Sequence, residues 1–239
     1  VSQLIERHSR KAARILDSAR ELVLDHGVRK VTVSEIAQAA GVGKGTVYLY
    51  WPAKEDLILG VIARELLTFL DEIIARITAD SAAVLPRSLA PLLVRTGLRL
   101  PLARRVQSGD ADLLRLLTQQ TGDRELFARI TPSALCETGL PIYHRHGLIR
   151  HDRPLPDLTY ALHAVLTGFS TAMSAPATAP LGVDDPEQIL ADTVAQLLEP
   201  PVAPAGPAVA AAAEETLVVL RQIQEALLGL IERSQTLNQ

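Results

Sequence analysis

Gly41 separates two short segments of opposite character, and this hinge constrains the chain more than any other feature. On its N-terminal side Val33, Ile36, Ala37 and Ala40 recur at helical spacing, so one face is apolar while Glu35 and Gln38 point outward. Thr32 or Ser34 is placed to cap the first turn, and Gly41 suits the left-handed residue that ends such a helix. Beyond Gly41 the pattern predicts a second helix from Lys44 to Tyr50, about 10 Å long at about 1.5 Å per residue. Only Val47 is assigned inward, which leaves Lys44, Gly45, Thr46, Tyr48, Leu49 and Tyr50 mostly exposed. A rod that short and narrow fits a DNA major groove about 12 Å wide. Taken alone, the segment also fits an ordinary helical hairpin with its tyrosines tucked against the first helix.

The flanking residues favour the groove. Pro52 stops the second helix, and Lys54-Glu55-Asp56-Leu57 opens another whose first amides face back toward the same surface, where helix N-termini bind phosphate readily. Residues 1–54 hold nine basic side chains against five acidic ones, a net of +4, whereas the remainder holds fifteen against twenty-two, a net of −7. All four lysines, Lys11, Lys30, Lys44 and Lys54, lie in that first segment. A basic end on an acidic body is what duplex binding requires. Upstream, Ala12, Ile15, Leu16, Ala19, Leu22 and Val23 form the buried stripe of a first helix, and Arg7, Arg10, Lys11 and Arg14 crowd its N-terminal turns. Positive charge there opposes the helix dipole. Phosphate contact by Arg10 and Lys11 accounts for it, with a solvated basic face as the alternative.

Four runs of residues then carry a resemblance: Thr32-Val33-Ser34-Glu35-Ile36-Ala37, Ala40-Gly41-Val42, Lys44-Gly45-Thr46-Val47-Tyr48-Leu49-Tyr50-Trp51 and Lys54-Glu55-Asp56-Leu57. Residues 10–60 resemble the DNA-binding domain of the TetR family of bacterial transcriptional regulators. Two positions depart from the family pattern: Gly43, where a capping Ser is usual, and Trp51, where Phe is commoner. The resemblance implies that Lys44, Gly45, Thr46, Tyr48 and Leu49 approach base edges or the adjacent backbone, and that Thr32, Tyr50 and Lys54 hold phosphates. The first group would carry specificity and the second mostly affinity. Lys44 is the residue suited to guanine, Thr46 to a thymine methyl, and Gly45 lets the backbone come close. Val47 and Trp51 are assigned to packing.

The remaining sequence is long and helical. With 239 residues, 48% of them hydrophobic, a second domain with its own core is expected beyond the DNA-binding segment. Helices are predicted at about 54–78, 87–105, 110–120, 124–147, 156–174 and 185–198, and no period-two strand pattern occurs. The fold class expected is all-α. The domains are 1–54, the helix-turn-helix; 55–199, a helical effector-binding and dimerisation body; 200–207, a Pro/Ala linker; and 208–239, an accessory helix. In that last helix Leu220, Ile223, Leu227 and Leu230 make a seam that must be buried, on its own domain or across a dimer.

A homodimer is expected because one short recognition helix contacts too few bases for operator specificity. Ala164, Gly168 and Ala172, spaced by four, form a strip that another helix can approach, and Ile189 and Leu197 supply a second surface. Packing within one subunit is the competing account of these faces. The family resemblance implies an effector pocket among the middle helices, with Phe69, Leu92, Leu116, Cys136, Tyr143, His163 and Phe169 as lining candidates, although apolar positions at helical spacing are usually core. With aromatics at 3%, an aliphatic or mixed ligand fits better than a flat cation stacked between rings.

Catalysis finds no motif. His144 and His146 are two apart and so lie on different sides of a helix, His151 and Asp152 sit in a polar loop, and there is neither a Gly-rich phosphate loop nor a Gly-x-Ser-x-Gly elbow. Cys136 is the single cysteine, which excludes an intramolecular disulfide and a cysteine-cluster metal site; no metal or cofactor is expected. Without an apolar run of about 18 residues or a secretory signal, a cytoplasmic protein with no membrane association is expected. The sequence therefore predicts a ligand-responsive DNA-binding repressor acting as a dimer on a near-palindromic operator. The alternative is a small-molecule binding or interaction module with a degenerate helix-turn-helix.

Overall fold

Helix α1 (Arg10–His26) begins where Ser9 Oγ accepts a hydrogen bond from Ala12 N at 3.2 Å and ends at Gly27, whose φ of +78° is open to glycine. The computed structural model describes residues 9–107, 110–120, 132–174 and 182–235. Three further helices follow in close succession: α2 (Val33–Ala39), α3 (Lys44–Tyr50) and α4 (Lys54–Ala79). After a 3-10 turn at Ser81–Val84 come α5 (Pro86–Leu98), α6 (Pro101–Gln107), α7 (Ala111–Gln120), α8 (Pro132–Arg145), α9 (Leu155–Ser174), α10 (Pro186–Leu198) and α11 (Gly206–Gln235). No strand occurs among the described residues, so the fold is all-α.

One expected boundary is corrected. The helix predicted at about 87–105 is two helices, because Pro101 lacks an N–H and disfavours helical backbone at Leu100. Of the helix predicted at 124–147, residues 124–131 lie outside the described residues, and α8 accounts for the rest.

The helices fall into two compact units, one drawn from Val1–Thr68, Pro101–Phe127 and Ile223–Gln239, the other from Phe69–Leu100 and Ala128–Gln222. In the first, Ala12, Ile15, Leu16, Ala19 and Val23 of α1 meet Ile36, Val47, Leu57 and Ile58 in a core with exposures of 1% or less. Trp51 is wholly buried there, and a Cβ on Gly60 would lie 3.4 Å from its Nε1 and 3.5 Å from Leu16 Cδ2. Both distances are ordinary van der Waals contact, so the indole packs directly against α4 at this position.

In the second unit α5 packs along α10, and α9 packs on α5, α8 and α10. Arg95 pairs with Glu187 at 2.7 Å and Arg87 with Glu199, both across the α5–α10 seam, while Arg150 N donates to Leu198 O at 2.8 Å. Exposed ion pairs of this kind add at most about 1 kcal/mol each, so the seam rests on burial of Leu92, Val94, Leu190, Val194 and Leu198. Helix α11 joins α8 where Arg145 and His146 both pair with Glu215. Of its seam, Leu220 is buried in the second unit and Ile223 and Leu227 in the first, while the Leu230 side chain lies outside what the structure describes.

Candidate nucleic-acid interface

The turn into α2 shows how the local sequence sets the site. Thr32 Oγ1 accepts from Glu35 N at 3.3 Å, while the Glu35 carboxylate takes both Thr32 N and Thr32 Oγ1 at 2.8 Å, a reciprocal capping box. The Thr32 hydroxyl and amide beside Glu35 hold its carboxyl below the usual range. Thr32 is exposed yet committed to this cap. Gly41 then takes φ +64°, as the helix-ending position requires, and the chain turns into α3. At the N-cap of α3, Gly43 offers only its carbonyl, which accepts from Thr46 N at 2.9 Å; no side chain caps this helix.

Helix α3 buries one residue, Val47, at 1% exposure. Lys44, Gly45, Tyr48 and Leu49 are exposed, Leu49 at 74%, and Thr46 and Tyr50 are half-buried. The Lys44 ammonium lies 5.8 Å from the Tyr48 ring centroid, within cation–π range. Nothing lies within 4 Å of where a Gly45 Cβ would stand, so the backbone here faces open space. The expected reading face is therefore assembled on one short helix. Arg10 and Lys11 are exposed on the first turn of α1.

Besides Thr32, the other two residues expected on phosphates also have partners within the chain. Tyr50 Oη shares a hydrogen bond of 2.8 Å with Ser9 Oγ, so the last residue of α3 is tied to the cap of α1. Lys54 Nζ donates to Val28 O and Val31 O, each at 2.9 Å, and so staples the loop between α1 and α2. The reason is geometric: that loop ends with two carbonyls left over, and the half-buried ammonium at the start of α4 satisfies them. At the same helix start Asp56 accepts from Ala53 N at 3.2 Å, and burial pushes its carboxyl up.

Behind the reading face lies a buried network that sequence reasoning missed. The Glu65 carboxylate, 5% exposed, accepts Arg20 Nε at 2.8 Å and Leu102 N at 2.9 Å, joining α1, α4 and the first turn of α6. Arg105 of α6 donates to Val23 O at 3.3 Å and Leu24 O at 2.9 Å, satisfying carbonyls near the C-terminal end of α1. The Thr-x-x-Glu capping box was visible as a sequence motif. The Glu65 and Arg105 contacts span 37 to 82 positions and left no local signal.

The effector candidates are divided between the two units. Phe69, Leu92, Cys136 and Tyr143 are buried and His163 and Phe169 half-buried in the second unit, whereas Leu116 is buried in the first. Burial pushes the Cys136 thiol up to about 11, so it stays protonated and unreactive. Tyr143 is buried, with its ionisation pushed well above the usual range by desolvation. His163 Nδ1 and Thr96 Oγ1 are buried polar atoms without a hydrogen-bond partner. Of the expected dimer residues, Ala164, Gly168, Ala172 and Ile189 are exposed and Leu197 is half-buried. The histidines set aside in the sequence have structural partners: the His144 and His151 rings lie 3.9 Å apart, and Asp152, beside Arg150 at 2.6 Å, is held down to about 2. Among the described residues no group of three or more His, Cys, Asp or Glu side chains could hold a metal ion, and no helix is long and apolar enough to cross a membrane.

Comparison with known proteins agrees with this geometry. Residues 15–61 match the family model described as "Bacterial regulatory proteins, tetR family". The chain is similar to the fatty acid metabolism regulator protein of Bacillus subtilis, 36% identical over 61 residues that make up 26% of this chain and 31% of that protein. It is also similar to the HTH-type transcriptional regulator BetI of Rhizobium meliloti, 36% identical over 85 residues, 36% of this chain and 40% of the relative. These alignments thus span between about a third and two fifths of the relatives' lengths. A crystal structure of a TetR family transcription regulator from Marinobacter aquaeolei VT8 superimposes with a TM-score of 0.58 at 19% identity, covering 82% of this chain and 99% of that one, which extends the shared fold past the helix-turn-helix.

Proposed function

Because the chain belongs to the TetR family of bacterial transcriptional regulators, a family that is not enzymatic, we propose that it is a sequence-specific repressor that binds a near-palindromic operator as a homodimer and is released by a small-molecule effector. The exposed edge of α3 carries this proposal: Lys44, Gly45, Tyr48 and Leu49 stand out from a helix whose only buried residue is Val47. Large apolar and aromatic groups left in water on one turn are explained by a partner surface, and a major groove accepts a rod of this width. Thr46 joins them at the groove, with Arg10 and Lys11 on phosphate and Tyr50 positioning α3 through Ser9. Lys54 acts through the loop it staples.

Dimerisation is supported by the exposed Ala164, Gly168 and Ala172 on α9 and by Ile189 on α10, 45% exposed. The effector reading is supported by Phe69, Leu92, Cys136, Tyr143, His163 and Phe169 in the second unit, an aliphatic and mixed set rather than stacked rings. An effector releases DNA only to the extent that it prefers the protein's non-binding state, so its differential affinity sets the response. The test is binding of the purified chain to a duplex from its own promoter and to a scrambled duplex at physiological salt. Clear preference for the promoter, erased in Lys44→Ala and Tyr48→Ala, is expected; equal affinity for both duplexes overturns the proposal.

A further inference from the structure

Thr96 on α5 is 1% exposed, and its hydroxyl oxygen is buried with no hydrogen-bond partner. Several other helical threonines of this chain are satisfied by their own helix. Thr68, Thr159, Thr171, Thr193 and Thr216 each donate to the carbonyl four residues back, at 2.7–2.9 Å. Thr216 is the direct comparison, because it is buried in the same unit and bonds Ala212 O at 2.7 Å. The Thr96 hydroxyl forgoes that bond, although a buried polar group without a partner is costly to keep. On α9, which packs on α5, the His163 ring presents a second such atom, a buried Nδ1 without a partner.

The setting of both atoms is apolar. Leu92 lies one turn before Thr96 on α5 and Leu166 one turn beyond His163 on α9, and both leucines are buried. Among the described residues no charged side chain is buried in the second unit, since Glu65 belongs to the first. A ligand bearing a carboxylate, a phosphate or a quaternary ammonium would therefore leave water with no buried opposite charge to meet it. A neutral oxygen function avoids that cost. It accepts from the Thr96 hydroxyl, and the His163 Nδ1 donates or accepts according to its tautomer.

Resting on the effector reading above, we propose that the effector is an uncharged amphipathic molecule. Its alcohol or carbonyl end hydrogen-bonds Thr96 Oγ1 and His163 Nδ1, and its aliphatic body lies against Leu92 and Leu166. The polar end completes two buried groups that the fold leaves unpaired, while burial of the body carries the affinity. Acids and ammonium compounds of the same length are rejected by the lack of a buried countercharge.

The test uses the full chain and matched straight-chain alcohols, methyl ketones, carboxylates and alkyltrimethylammonium ions, from butyl to decyl, with binding followed by calorimetry. At least one alcohol or ketone is expected to bind saturably, with the carboxylate and the ammonium ion of equal length at least about tenfold weaker. Thr96→Val keeps the side-chain shape and removes the hydroxyl. It is expected to weaken binding at least about tenfold while the melting temperature of the unliganded protein holds or rises, since an unpaired buried group has been taken away. His163→Phe, which keeps a ring and removes its nitrogens, is expected to weaken the same ligand. A fall in the melting temperature of unliganded Thr96→Val overturns the inference before any ligand is tried, because it shows the hydroxyl to be satisfied inside the fold. A smaller or reversed preference over the charged compounds overturns it while leaving the effector reading in place. Absence of saturable binding by every alcohol and ketone, or unchanged binding in both variants, overturns it as well. Operator binding is measured separately, so the repressor proposal stands or falls apart from these outcomes.

Discussion

The two units solve opposite problems with similar helices. In the first, the residues proposed for function stand in water, and what positions them is buried: Leu49 is 74% exposed while Trp51, immediately beyond α3, is not exposed at all. In the second, the effector candidates are themselves buried or half-buried, so the same side chains must serve as core and as ligand surface. Substitutions should therefore separate stability from binding in the first unit and confound them in the second.

Glu65→Ala should give the largest effect. It strips the partner from Arg20 and leaves Leu102 N without an acceptor in a buried setting, so a loss of about 2–3 kcal/mol is expected by chemical denaturation. Because Glu65 bonds Arg20 of α1 and Leu102 of α6, discrimination between operator and scrambled duplex should persist wherever the protein remains folded. Loss of discrimination at full folding would show that position 65 reaches the reading face directly.

In the second unit, Tyr143→Phe removes only the hydroxyl, at a buried site. A loss of at most about 1 kcal/mol is expected, since the change keeps the ring and takes away a single polar group. Operator affinity without effector should be unchanged, and any effector found should bind differently. An unaltered effector response would take Tyr143 out of the pocket and leave it as core.

Gly45→Ala sharpens the contrast most directly, because its two effects have opposite signs. Glycine inside a helix costs about 1 kcal/mol relative to alanine, and a Cβ at position 45 would meet nothing within 4 Å. Stability should rise by about that amount while operator binding falls, since the added methyl stands where the backbone approaches DNA. Unchanged or tighter operator binding would remove Gly45 from the interface.

How much of this was legible in the sequence follows from the range of the contacts. The hinge at Gly41, the inward Val47, the packed Trp51 and the bounds of α3 were readable because helical spacing and turn chemistry act within a few residues. Pro101 announced the α5–α6 break by its chemistry and was passed over for the longer apolar pattern. The two diverted phosphate candidates were not readable, because Tyr50 meets Ser9 across 41 positions and Lys54 meets Val28 across 26. Charge and ring type marked these residues as polar and useful without saying to whom. Leu116 is similar: a buried leucine on a helical stripe does not disclose which core receives it.

The smallest expected effect compares the two caps of the helix-turn-helix itself. Helix α2 begins with a capping box whose Glu35 carboxyl is lowered from its ordinary 4.5 chiefly by the Thr32 hydroxyl, whereas α3 begins at Gly43 with no side-chain cap. Gly43→Ser should add an acceptor for the amides of the first turn, and space allows it, since a Cβ there meets only Thr46 Oγ1 at 3.9 Å. A gain of a few tenths of a kcal/mol is expected. The two caps should also part company in acid. A carboxyl whose folded value is depressed contributes stability that is fully present above its unfolded value and is lost as pH falls through the folded one. The α2 cap should therefore weaken as pH drops below about 4.5, while the serine contribution at position 43, having no titrating group, stays constant. Melting of the two proteins across that pH range checks both statements: parallel curves offset by a constant amount are expected, and an offset that vanishes in acid would mean that the new serine acts through Glu35 rather than through α3.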